Sequence, residues 1–337
     1  MASLKDIAAA ANVSIATVSK ALHDQSDVGE KTKERIRQIA QDLGYMPNAA
    51  ARALKTSRTH SLGVLFSDEA QSGLTHDYYN TLLDSFKRQA ERQGYDITFI
   101  NCDRTRPNRM SYLAHTRYRG FDGVCIACVD FYDPEVTELV RSTIPVVTID
   151  HIFDSCTAVL SDNVAGIHDL IRFIAERGYT RIAYIHGYDS AVTRARLSSF
   201  YKTMTECGFE IVPDYIREAA YRDSRGCHDE VLRLLDLPVP PEVILCPDDY
   251  ASIGAFNAIR ERGLRIPEDI SIAGYDGIAI ARHVSPALTT IAQDTSAMGK
   301  AAAVELIEQI ENPMTTLTRT ITIQGKLLPG GTVGTKS

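Results

Sequence analysis

The sequence predicts an all-α helix-turn-helix domain at the N-terminal end, followed by an α/β core of two doubly wound lobes with parallel sheets. Three observations carry this. The first sixty residues hold capped amphipathic segments and no strand pattern. From residue 61 the chain alternates short apolar runs with longer amphipathic ones, as parallel sheets covered by helices on both faces require. After Asp150 the rhythm restarts, so two sets of about a hundred residues each give two lobes.

The helical elements follow from caps and spacing. Ser3-Leu4-Lys5-Asp6 has the spacing of a capping box, and Leu4, Ile7, Ala8 and Ala11 form one apolar stripe that stops at Asn12. Ser14 is a second N-cap, and Val18, Ala21 and Leu22 make a second stripe. Two short helices joined by a tight turn describe a helix-turn-helix, with the second as reading helix. Its outward residues, Ser14, Ile15, Ala16, Thr17, Ser19 and Lys20, are short or apolar first and basic later, as insertion into a major groove requires. On pattern alone, a helical hairpin with a solvated face is the alternative. Lys31, Lys33, Arg35 and Arg37 lead a third helix with Ile36, Ile39, Ala40 and Leu43 inward and Gly44 at its end. Pro47 and the alanine-rich run after it favour a fourth helix of about two turns, marginal on its own.

In the core, Leu62 to Phe66, Ile97 to Ile100, Val124 to Val129 and Val146 to Ile149 read as strands. Between the first two, Tyr79, Leu82, Leu83, Phe86 and Ala90 mark a helix ending at Gly94. The second set holds strands at Ala158 to Leu160, Ile182 to Ile185, Val243 to Cys246 and Ile270 to Gly274. Its first helix turns Ile167, Leu170, Ile171 and Ile174 inward and ends at Gly178.

Charge and composition restrict the function. The 337 residues carry a net charge of −7 with 44% apolar content. Residues 1–60 hold nine Lys/Arg against six Asp/Glu, so a mildly basic head sits on an acidic body, as suits a DNA-binding module on a domain that does not touch DNA. No twenty-residue apolar run exists and the first helix is a capped amphipathic one, so the expected location is cytoplasmic, with no membrane partner. Seven irregularly spaced cysteines give no disulfide framework. Cys125-Ile126-Ala127-Cys128 lies in a strand-like run, where side chains three apart face opposite ways, so buried thiols are expected and not a metal pair. No nucleophile-base pair, phosphate loop or metal motif is present, so neither an enzyme nor a cofactor is expected.

Ligands of doubly wound sheets bind at the carboxyl ends of the strands. Polar residues collect there: Ser67 and Asp68, Asn101 and Asp103, Asp130, Asp150, Asp162, Asp248, Asp249 and Asp276. Carboxylates in a cleft accept from vicinal hydroxyls, so the pattern suggests a polyhydroxylated ligand. For any single one of them, capping the next helix is the commoner role, and it is their recurrence that carries the argument.

Leu4-Lys5-Asp6-Ile7-Ala8, Val13-Ser14, Thr17-Val18-Ser19-Lys20-Ala21-Leu22, Gly44-Tyr45-Met46-Pro47-Asn48 and Ala51-Arg52-Ala53-Leu54 resemble the headpiece and hinge of LacI/GalR-family transcriptional regulators. Further along, Val159-Leu160-Ser161-Asp162-Asn163, Arg194-Ala195-Arg196, Cys246-Pro247-Asp248-Asp249-Tyr250, Gly263 to Ser271, Gly274-Tyr275-Asp276 and Leu288 to Ile291 resemble its core motifs in order, so the resemblance spans nearly the whole chain. It implies that Ile15, Ala16 and Lys20 read bases. It also implies that a hinge helix carrying Asn48, Ala51, Arg52, Leu54 and Lys55 folds on operator DNA, with Leu54 as a wedge in the central minor-groove step. The implied core is periplasmic-binding-protein-like, with three crossings between lobes near Asp162, Gln293 and Ile323. Arg196, Asp249 and Asp276 are the implied effector contacts, with Asp150 and Asp162 behind them, and Tyr221 and Arg222 stand where the family often places a stacking aromatic and its neighbour.

The chain departs from the family at several points. It has lysine at position 20 where arginine is usual, Asp248 where a small or amide residue is common, and no tryptophan. Any sugar-stacking ring is therefore Tyr79, Phe131, Tyr221 or Tyr275. Residues 325–337 hold no leucine heptad, so the expectation is a homodimer and not a tetramer. The expected domains are 1–46 (helix-turn-helix), 47–60 (hinge helix and linker), 61–161 with 293–322 (N-terminal core lobe), and 162–292 with 323–337 (C-terminal core lobe). The expected function is a repressor that binds a near-palindromic operator and senses a sugar or sugar derivative between the lobes. A purine-sensing regulator, or a cytoplasmic sugar-binding or enzymatic α/β protein with an accessory helical domain, is the alternative.

Overall fold

The computed structural model describes residues 2–46, 58–68, 72–103, 105 and 109–336. The chain forms two compact units, Met1–Thr59 and His60–Ser337. The first is helical. Helix α1 (Leu4–Ala11) begins at the expected capping box: the Ser3 hydroxyl accepts the Asp6 amide, and the Asp6 carboxylate accepts the Ser3 amide at 2.8 Å. Asn12, in the left-handed region, ends it. Helix α2 (Ile15–Leu22) starts at Ser14, whose hydroxyl accepts the Thr17 amide at 3.0 Å. Helix α3 (Glu30–Asp42) closes a core of Ile7, Ala11, Val18, Ala21, Val28 and Ile36.

Two expectations for α3 change. Leu43 is exposed and not inward, because it is the C-cap just past the last turn. Lys33 is buried, its ammonium 3.1 Å from Asp24 and 2.7 Å from Glu30, so one of the four basic residues of this helix ties down the loop before it. The expected fourth helix, with Asn48, Ala51, Arg52, Leu54 and Lys55, lies outside the described residues.

The second unit holds two parallel sheets. Strands β1 (Ser61–Phe66), β2 (Asp96–Phe99), β3 (Gly123–Ala127), β4 (Val146–Ile149) and β5 (Thr157–Ser161) join β11 (Thr320–Ile323) in the order β11-β5-β4-β3-β1-β2. Between them run α4 (Asp77–Arg92), α5 (Tyr112–Arg119) and α6 (Pro134–Val140). The second sheet has the order β7-β6-β8-β9, from β6 (Ile182–His186), β7 (Ile216–Glu218), β8 (Val243–Leu245) and β9 (Ser271–Ala273). Helices α7 (Asn163–Ala175), α8 (Ala191–Glu206), α9 (Ser224–Leu235), α10 (Ser252–Glu261) and α11 (Ala279–His283) belong with it. All strand pairs within both sheets are parallel.

The chain passes between the sheets repeatedly. From β5 it enters α7; from β10 (Thr290–Ala292) it reaches α12 (Thr295–Glu311), which packs along α4 beside the first sheet; from β11 it returns to β12 (Lys326–Leu328), antiparallel to β10. The α4–α12 crossing is tight at Gly299, where a Cβ would meet the Leu82 carbonyl oxygen at 2.1 Å. Tyr78, one turn before Leu82, is the buried member at the start of α4, and Tyr79 packs half-buried against the same cluster. Strand β3 ends at Ala127: Cys128 has φ +54°, is half-buried, and turns the chain out of the sheet, so only Cys125 of that pair is a core thiol.

Candidate functional site

In the helical unit, α2 presents one accessible face. Ser14, Ala16 and Lys20 are exposed and Ile15 is 44% exposed, while Thr17 and Ser19 are half-buried. The small residues occupy the first turn, where a helix end can approach a groove closely. The Lys20 ammonium is paired with Asp27, which holds that carboxyl below its ordinary range. A surface pair of this kind is weak, so Lys20 can exchange Asp27 for another acceptor.

The second unit contains a cavity of about 520 Å³ at the carboxyl ends of both sheets. One wall comes from the residues after β1, β3 and β4: Asp68, Cys128 to Tyr132, Asp150 and His151, with His76, Tyr78 and Tyr79 from the start of α4. The other comes from the ends of β6 to β9: Tyr188 to Val192, Arg196, Ala220 to Arg222, Asp248 and Asp276. Gln293, between β10 and α12, joins the walls.

Arg196 is the fixed cation of the site and is 3% exposed. Its Nε donates to Asn163 Oδ1 at 2.7 Å and its Nη1 to the Pro247 carbonyl at 3.3 Å. The guanidinium lies over the Tyr275 ring at 3.6 Å, and Nη2 is 3.7 Å from Asp276 Oδ1. Three carboxylates surround it. Asp150 accepts from the Tyr78 hydroxyl at 2.8 Å and the Ser161 amide at 3.2 Å. Asp248 accepts the Ala251 amide at 2.7 Å and the Arg222 amide at 2.6 Å. Asp276 accepts from Gln293 Nε2 at 2.6 Å. Burial raises all three above the usual carboxylate range, and Asp276 is pushed up to about 7 even with Arg196 beside it.

Aromatic rings complete the walls. Phe131 stacks on His151 at 4.3 Å with the planes 4° apart, and Tyr79 packs edge-on to Tyr78. Two arginines reach across from the second sheet's side: Arg222 Nη1 is 3.2 Å from Asp77 at the start of α4, and Arg194 Nη2 donates to the Tyr132 hydroxyl at 2.8 Å while Nη1 holds Asp189.

Asp68, Tyr79, Phe131, Asp150, Arg196, Tyr221, Arg222 and Asp276 all line this cavity. Three expected residues do not. Asp249 is fully buried beneath it, accepting the Ile278 amide at 2.9 Å and the Thr290 hydroxyl at 2.6 Å, and its neighbour Asp248 faces the cavity instead. Asp162 caps α7 through the Ala165 amide at 2.9 Å. Tyr275 is buried under the Arg196 guanidinium and offers no free face. The sequence reading passed over His76, Tyr132, His151, Tyr188, Asp189 and Gln293. Asp189 carries the same signal as the other acids, since it follows β6 by three residues. The rings carry no such mark.

Among the described residues no group of three His, Cys, Asp or Glu side chains could hold a metal ion, and no helix is long and apolar enough to cross a membrane. No disulfide joins the seven cysteines.

Comparison with known proteins gives two family matches. Residues 3–48 match the model described as "Bacterial regulatory proteins, lacI family", and residues 171–333 match "Periplasmic binding protein-like domain". The chain is similar to the HTH-type transcriptional repressor PurR of Pasteurella multocida, at 32% identity over 317 residues and 92% of each chain. It is also similar to the ribose operon repressor of Escherichia coli K12, at 30% identity over 93% of this chain and 94% of that one. The lac repressor dimer bound to operator and the anti-inducer ONPF superposes with a TM-score of 0.82 at 23% identity, covering 99% of both chains.

Proposed function

The chain belongs to the LacI family, as a ligand-responsive transcriptional repressor with an HTH headpiece and a periplasmic-binding-protein-like core, and from that premise we propose that its effector is a sugar bound in the cleft between the two sheets. One observation carries the proposal: Asp150, Asp248 and Asp276 line one cavity with the Arg196 guanidinium, each already oriented by donors from the protein. A carboxylate oxygen has more than one acceptor position, so the ligand that suits the site brings several O–H donors at close spacing. The ribose operon repressor among the relatives supports a small sugar.

A purine is the second reading. The parallel Phe131–His151 stack offers a flat ring wall, and the PurR relatives support it.

The repressor acts on DNA as a homodimer, each α2 entering the major groove of one half-site of a near-palindromic operator with Ser14, Ile15, Ala16, Thr17, Ser19 and Lys20 on the contact face. Asn48, Ala51, Arg52, Leu54 and Lys55 take the hinge contacts. The lac repressor of similar fold is a dimer on its operator, which supports this assembly. Closure of the cleft by effector shifts operator affinity through a coupling of about 1–3 kcal/mol, a 5–150-fold change.

A thermal-melt panel of monosaccharides, disaccharides and purines tests the assignment. Effector at about 100 times its Kd adds ~2.7 kcal/mol of stability, a visible rise in Tm. A monosaccharide is the expected hit. A purine hit with silence from every sugar refutes the first reading in favour of the second.

A further inference from the structure

We propose that the cleft admits neutral ligands and rejects anionic ones, and that Asp248 sets this charge rule. The proposal rests on the cleft being the effector site, but not on the effector being a sugar. Asp150, Asp248 and Asp276 follow β4, β8 and β9 and line one cavity of about 520 Å³. Two arginines line it with them. Arg222 is committed elsewhere, with Nη1 3.2 Å from Asp77 and its guanidinium 4.6 Å from the Tyr250 ring centre. Arg196 remains, and it is shared among Asn163, the Pro247 carbonyl and Asp276.

An entering phosphate or carboxylate would therefore meet one guanidinium already in use and three buried carboxylates. Like charges repel strongly where water is excluded. The empty cleft is itself overloaded with negative charge, since Asp276 is pushed up to about 7 by burial, with Asp248 adding to the rise. A neutral ligand meets the same carboxylates as acceptors for its O–H or N–H groups and carries no such penalty.

Asp248 is the member that decides. Its oxygens are fixed by the Ala251 and Arg222 amides, so the side chain cannot turn away from an incoming anion. An amide in its place keeps the shape, removes one charge from the wall and can still accept one of the two backbone amides. Asp150 and Asp276 each lean on a side-chain donor, Tyr78 and Gln293, whereas Asp248 is held by backbone alone.

The test is calorimetric titration of the full-length protein with pairs that share a ring scaffold and differ in charge: ribose with ribose 5-phosphate, galactose with galacturonate, hypoxanthine with urate. The expected result is that one neutral member binds and its anionic partner binds at least about tenfold more weakly, a difference of ~1.4 kcal/mol. In D248N the gap should shrink several-fold. An anion that binds as tightly as its neutral partner overturns the rule, and an unchanged gap in a folded D248N overturns the role of Asp248. If D248N does not fold, Asp248→Ser takes its place, since a serine can still cap the Ala251 amide. Binding of hypoxanthine with no sugar would end the sugar reading alone, and the purine pair would still decide the charge rule.

Discussion

Asp248 and Asp249 are adjacent, and their partners separate them. The carboxylate of Asp249 turns under the sheet to meet the Ile278 amide and the Thr290 hydroxyl, while that of Asp248 turns to the cavity and holds the Arg222 amide. The family motif named Asp249 as the effector contact, and nothing within Cys246 to Tyr250 distinguishes the two acids. The distinction is made by residues 278 and 290, which the fold brings back from far along the chain. Asp276 was legible both as an acid at a strand end and by motif, but its proton affinity was not, because that depends on burial. Its raised pKa gives a pH dependence. Ligand donors favour the ionised form, so effector affinity rises as pH is taken from about 6 to about 8 through the folded pKa near 7. Folding stability runs the other way: the contribution of Asp276 is fully present below its unfolded pKa and is lost as pH rises through about 7. Titrations and melts at both pH values check the two signs, and a flat affinity profile would remove Asp276 from the binding step.

At the scale of elements, periodicity located eight strands to within two residues and five of the helices, because apolar stripes and caps are local properties; β7, β10, β11 and β12, short strands of three or four residues, carried no such signal. It left out Tyr78, which is buried beside the half-buried Tyr79, and put Leu43 inward where it is exposed, since a stripe does not say where a helix begins or stops. The α4–α12 contact was not legible at all: α12 comes more than two hundred residues after α4, and their approach depends on Gly299 lacking a side chain. Gly299→Ala places a Cβ against the Leu82 carbonyl oxygen, a backbone atom that cannot rotate aside. The expected cost is about 1–3 kcal/mol, as for other overpacked cores, read from the midpoint of urea unfolding. A substitution that leaves the midpoint unchanged would show that the helices slide apart freely.

For the whole molecule, the division into a helical unit and an α/β core was legible from composition and rhythm, and the strand-end rule pointed to the ends where the cavity lies. The contacts that bridge the cleft were not, since each joins residues with no sequence relation. Arg222–Asp77 is the better shielded of the two, the Arg222 side chain being 12% exposed and that of Arg194 50%. Arg222→Gln and Asp77→Asn each remove the same ion pair, so each should weaken effector binding about tenfold, mainly by faster release, and the double variant should be little worse than either. Stopped-flow displacement gives the rates, and full additivity of the two effects would mean that the residues act separately.

The interleaved path of the chain also bears on how the protein is made. The first sheet lacks its edge strand until Thr320–Ile323 is available, and β10, bridged on one side to the segment after β9, lacks its antiparallel partner until Lys326–Leu328 follows. On the ribosome, the helical unit can form from local contacts early, whereas both halves of the core wait for almost the same final stretch of peptide. A frameshift or stop codon near residue 315 therefore leaves neither half finished, and a gene split at Asp162 cannot yield two stable pieces. Residues 320–328 thus tie the completion of both parts of the core to one short stretch, although every residue that lines the cavity precedes it.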